Sequence, residues 1–313
     1  MSVLKSSTTL KTAVAAGAIV LGLAMSTGSL TASSLSGVPS DPPAIDAARA
    51  ARTAVTSTEL HEDSSPNVFA RAARTRDAIG FPVGPRRSGR HVHDGLKQLD
   101  YDEVAEVDAS GQPLALTQFD NAGLLVAAIR FDAAAPAVAR ISGDGAATSA
   151  LSALTACGVS VGGQARTDAN DLAGGWDVHW PRSQAGFAVR GDEARVHVWP
   201  DGRIASVARV EHTLAAAPAR QLTESDVHLA VTRQMDTWFG GSDAGYVVDN
   251  MDVEWVGPNA AFDSTKVGAA PQPYRLAWVA NIKPTGSAAG AVRLITLYLD
   301  AGDGTVIGGD VVE

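Results

Sequence analysis

The chain has 313 residues, 45% of them apolar, with 34 acidic against 25 basic residues and a formal net charge of −9. That balance argues against nucleic acid or an anionic membrane surface as partner, because both call for clustered positive charge. One cysteine, Cys157, excludes an internal disulfide, so the fold has to rest on its apolar core.

In chain order, residues 1–32 read as a secretory signal. Lys5 and Lys11 precede an apolar run from Ala13 to Met25, followed by small residues at Ser26, Gly28, Ser29 and Ala32. The run is shorter than the roughly 20 residues that a membrane helix needs. We therefore expect an exported, soluble protein, with retention of the segment as an N-terminal anchor as the alternative. Loss of both lysines leaves 23 basic residues and a formal charge of −11. Residues 33–90 form a linker and helical segment. It starts Ser/Gly/Pro-rich, shows helical composition from Ala44 to Leu60, and carries a short helix around Val68 to Ile79. The basic cluster Arg86-Arg87-Ser88-Gly89-Arg90 reads as a solvated loop.

Residues 91–142 are β-rich, with strands at Val104–Val107, Leu114–Phe119 and Leu124–Phe131 joined by Asp108-Ala-Ser-Gly111 and Asn121-Ala-Gly123. The pentapeptide Ala-Ala-Ala-Pro-Ala at 133–137 recurs at 215–219, each copy read as a linker before a helix. Residues 143–214 put a helix at Thr148–Cys157 ahead of strands beginning at Trp176. Residues 220–313 repeat the order. Thr223-Glu-Ser-Asp226 has the form of a helix cap, and strands follow at about Met251, Tyr274, Val292 and Thr305. The predicted fold class is α+β: tandem modules, each a helix packed on its own small antiparallel sheet.

Catalytic signatures are missing from the sequence. Neither His-Glu-x-x-His nor Gly-x-Ser-x-Gly occurs. His91 and His93 are the only close histidine pair, and two ligands do not complete a metal site. Asp300 and Asp303 fit a hairpin turn better than a calcium loop. Cys157 reads as a small core residue rather than a nucleophile. We therefore assign no catalytic residue, no metal and no cofactor. All six tryptophans lie between Trp176 and Trp278. Trp176, Trp180 and Trp199 are candidates for partner binding, although alternation along a strand, as at Trp176 and Trp180, is first of all the pattern of a core-facing surface. Unpaired strand edges offer a second mode, capture of an extended peptide as an added strand.

Tyr274-Arg-Leu-Ala-Trp278, Leu297-Tyr-Leu-Asp-Ala301 and Gly304-Thr-Val306 resemble the closing strands of a PepSY domain. Trp176-Asp-Val-His-Trp180, Arg182, Gly186, Val189, Gly191-Asp192 and Asp201-Gly202-Arg-Ile204 are similar in the preceding module. Residues 91–131 resemble, more faintly, the related propeptide module of thermolysin-like metalloproteases. The resemblance implies a role in restraining or assisting a separate secreted hydrolase, with no chemistry of its own. Two alternatives remain at this point: a cell-envelope module binding glycan or peptide, and an enzyme whose site the sequence does not display.

Overall fold

The structure, a computed structural model, describes residues 55–94, 99–132, 141–171, 174–239, 245–262, 272–285 and 292–312. The segment 1–32 read as an export signal, the stretch from 33 to 54 and the first alanine-proline repeat at 133–137 lie outside these residues. The elements are β1 (Val55–Leu60), α1 (Pro66–Ala78), β2 (Arg86–Asp94), β3 (Leu99–Val107), β4 (Pro113–Asp120), β5 (Leu125–Arg130), α2 (Gly143–Ala156), β6 (Arg166–Ala169), β7 (Trp176–Gln184), β8 (Phe187–Val198), β9 (Ile204–Val210), α3 (Glu224–Phe239), β10 (Tyr246–Val256), β11 (Arg275–Pro284), β12 (Leu294–Asp300) and β13 (Val306–Val312). A helix followed by four strands thus occurs three times in the described chain.

The expected tandem small sheets do not form. All 13 strands join one mixed sheet in the order β1-β2-β3-β4-β5-β9-β8-β10-β11-β12-β13, with β7 beside β8 and β6 beside β7. The reason lies in the edges. β5 would end the first meander with an apolar strand whose outer backbone groups need partners, and β9 supplies them through Ala127↔Ala208, Ala128↔Val207 and Ile129↔Ser206. On the other side, Glu254 and Trp255 of β10 run parallel to Ala188 and Val189 of β8. Strand periodicity reports which residues face a core, not which edges meet, so sequence reasoning stopped at separate modules.

Among the described residues, three helices cover this sheet. Phe69 and Ala72 of α1 and Ala146, Ala150, Ala153 and Leu154 of α2 share one core with Val104, Phe119, Val178, Val196 and Val207 from the strands beneath. α3 buries Val227, Val231 and Met235, four residues apart on one face, against Ala280, Ile282, Ile295 and Leu297. Burial of each Val, Leu, Ile, Phe or Met side chain among these contributes about 1.5–3 kcal/mol. The start of α3 follows the cap pattern in its sequence: the Thr223 hydroxyl accepts the Asp226 N–H, and the Asp226 carboxylate accepts the Thr223 N–H. No helix among the described residues is long and apolar enough to cross a membrane.

Two local expectations are corrected. Val55–Leu60, read as the end of a helix, is β1, paired antiparallel with β2; its Val-Thr-Ser-Thr composition favours a strand once β2 is there to receive it. The basic cluster is not a loop but the start of β2. Arg86 donates to the Ala109 carbonyl, Arg87 lies over the Phe69 ring, and Arg90 pairs with Glu103. Gly89 is required there, since a Cβ would stand 2.6 Å from the Phe69 ring.

Candidate functional site

The site with the most chemistry lies where the two halves of the sheet meet. β8 changes neighbours along its length, pairing with β10 at Ala188–Val189 and with β9 from Glu193 onward. Gly191, at φ +79°, stands between these stretches, and opposite it the β7–β8 register shifts between Pro181 and Ser183. An irregularity of this kind re-aims side chains. Here it turns Arg182 and Asp192 toward each other and toward the segment that leaves β9.

The Asp192 side chain is 0% exposed. Its Oδ2 accepts from Arg182 Nη1 at 2.9 Å and from the His212 backbone N–H at 2.9 Å, and its Oδ1 bonds His212 Nδ1. Burial alone would raise this carboxyl, but the His212 and Arg182 hydrogen bonds outweigh it and hold Asp192 below the ordinary aspartate range. Arg182 also donates to the His212 carbonyl at 2.8 Å. The imidazole stacks on Tyr274, with ring centres 4.2 Å apart and planes 11° apart, and its Nε2 lies 3.5 Å from the tyrosine hydroxyl. Burial, with the Asp192 charge behind it, pushes Tyr274 up to about 12. Tyr274 is tied to the linker as well: its N–H donates to Thr213 and its carbonyl accepts from Ala215, each at 2.8 Å.

Arg182 and His212 of this cluster line a cleft of about 650 Å³, with Asp192 and Tyr274 behind them. The remaining lining comes from Gln184 and Ala185 at the β7–β8 turn, Arg209 at the end of β9, Glu211, Thr213 and Leu214 in the segment leaving β9, Ala215 and Ala217 of the second alanine-proline linker, and Trp255 of β10. The Trp255 indole N–H donates to the Gln184 carbonyl at 3.1 Å and closes the apolar side. Ala185 has φ +53°, a left-handed conformation that costs a non-glycine residue about 1 kcal/mol.

The predicted site residues lie elsewhere. Trp180 is 5% exposed and belongs to the main core. Trp199 is 8% exposed, with the guanidinium groups of Arg130 and Arg203 over its ring at 4.9 and 4.7 Å. Trp176 is half-buried against the same core and donates its indole N–H to the Ile141 carbonyl at 3.0 Å. None of the three lines the cleft. His91 and His93 each pair with an aspartate of β3, Asp102 at 2.9 Å and Asp100 at 2.7 Å. No group of three or more candidate metal ligands occurs among the described residues. Cys157 is partly buried at the end of α2, and burial pushes its thiol up to about 11. Asp300 and Asp303 close the β12–β13 turn, accepting the Gly302 and Thr305 N–H groups.

In the sequence Arg182 and Asp192 stand out only through the PepSY resemblance, and nothing there joins them to His212, Arg209 or Tyr274. A signal was available: Pro181 and Gly191 inside β-patterned runs mark a strand irregularity. No protein-family model matches the chain, and no curated protein matches it either.

Proposed function

We propose that this protein is an exported, non-enzymatic binding protein that acts through contact with a separate secreted hydrolase, as the PepSY resemblance implies, and that the seam cleft is part of the contact surface. The observation that supports this reading most is the composition of the cleft. It is lined by arginines, an imidazole, an indole and the linker backbone, groups that hold a polypeptide through charge, hydrogen bonding and apolar contact. Mixing the purified protein with secreted hydrolases from its own culture medium tests the reading. A dose-dependent change in at least one hydrolase activity is expected, weakened by His212→Ala; unchanged activities across the whole set would overturn it.

One observation favours a second reading. A buried carboxylate that holds Nδ1 of an imidazole at the margin of a cleft is also the arrangement that orients a general base. Turnover of ester or peptide probes that disappears in His212→Ala would establish it.

A further inference from the structure

We propose that the seam cleft is a carboxylate-binding site whose ligand is an acidic segment of the partner, and that Glu211 occupies the ligand's place in the free protein. This rests on the reading of the cleft as a contact surface. Glu211 bridges two cations: its Oε2 bonds Arg209 Nη2, and its Oε1 lies 3.5 Å from Arg182 Nη2. Two guanidinium groups from different strands therefore converge on one carboxylate position. Planar guanidinium groups are suited to holding carboxylates through paired hydrogen bonds.

The three residues differ in how firmly they are held. Arg182 is anchored by the buried Asp192 and by the His212 carbonyl. Arg209 is mostly buried and has a second acid, Asp120, at 3.8 Å. Glu211 has no such anchor. It follows β9 outside any regular element, and its side chain is 42% exposed. An ion pair of that exposure contributes little, so an incoming carboxylate can displace Glu211 while the arginines stay in place. The cleft is much larger than one carboxyl group, with linker backbone on one side and Trp255 on the other, which leaves space for the peptide that bears it.

The test uses the full chain, fluorescence anisotropy at 0.15 M salt, and labelled hexaglutamate, its C-terminally amidated form and amidated hexaglutamine as probes. Glu211→Ala should bind hexaglutamate about fivefold tighter than the wild type, the gain that removing an exposed competing ion pair allows. Adding Arg209→Gln to Glu211→Ala should cancel the gain, and hexaglutamine should show none. A gain kept by the amidated peptide identifies side-chain carboxylates as the ligand, and a gain lost on amidation identifies the terminal carboxylate. No gain in Glu211→Ala, a gain shared by hexaglutamine, or a gain that survives Arg209→Gln overturns the proposal. A protein that modulates a hydrolase yet shows no gain loses this site and keeps the proposed function. A gain without any modulated hydrolase does the reverse.

Discussion

Asp192 is the residue on which the seam depends. Its buried side chain accepts three hydrogen bonds, so Asp192→Asn removes the charge that Arg182 and His212 are bound to and should cost about 2 kcal/mol at neutral pH, read from urea unfolding midpoints. The sign of the pH dependence follows from its lowered pKa. A carboxyl held below its unfolded value, about 3.9, stabilises the fold above that pH and ceases to do so as pH falls through the folded value. The gap between wild type and Asp192→Asn should therefore be widest above about pH 4 and close below it. Asp177 adds to the same acid sensitivity: burial opposes its charge, but His197, Arg195 and Asn170 hold it low. Little of this could be read from the sequence. Arg182, Asp192, Arg209, His212, Trp255 and Tyr274 are scattered along the chain, and they meet through the strand irregularity, the parallel pairing of β8 with β10 and the bonds of Tyr274 to Thr213 and Ala215. Trp176, Val178 and Trp180 were easier, since their alternation with Asp177 and His179 is the pattern of a strand covered on one face, and they share the main core.

At the scale of elements, the outer edge of β13 is guarded by a side chain. Asn259 donates to the Gly309 carbonyl at 2.9 Å and accepts the Gly309 N–H at 3.0 Å, taking the place of a neighbouring strand's peptide group. Removing this guard in Asn259→Ala should leave the edge open to other copies and raise self-association, measured by light scattering against concentration. Close approach requires Gly309, because a Cβ there would meet the Thr296 carbonyl at 2.0 Å. Gly309→Ala should destabilise the fold by about 1–3 kcal/mol in urea unfolding. The α3 cap makes a smaller contribution. Thr223→Ala should cost about 1 kcal/mol, and this element was legible in advance because capping is written within four consecutive residues. Edge protection was not, since Asn259 and Gly309 are 50 residues apart.

At the scale of the whole molecule, two helix-covered cores are joined by a narrow seam. Val189, Trp255, Leu276 and Ala301 form a small cluster of their own there, beside only two residue pairs of parallel ladder. Trp255→Ala should cost about 3–5 kcal/mol at this point. Calorimetry should then resolve two transitions where the wild type shows fewer, because each half retains a separate core. The joining of β5 to β9 has a further consequence, for the order of events during folding. Ala128 of β5 finds its partner Val207 only after α2 and β6 to β8 have been made. Until then Leu-Val-Ala-Ala-Ile-Arg is a bare apolar edge, and closing it requires a long, entropically slow loop. The first half thus cannot mature as it emerges, and a chain stopped after Asp132 should aggregate rather than fold. Maturation of the first core is thereby deferred until β9 has been made, about 80 residues after the strand that waits for it.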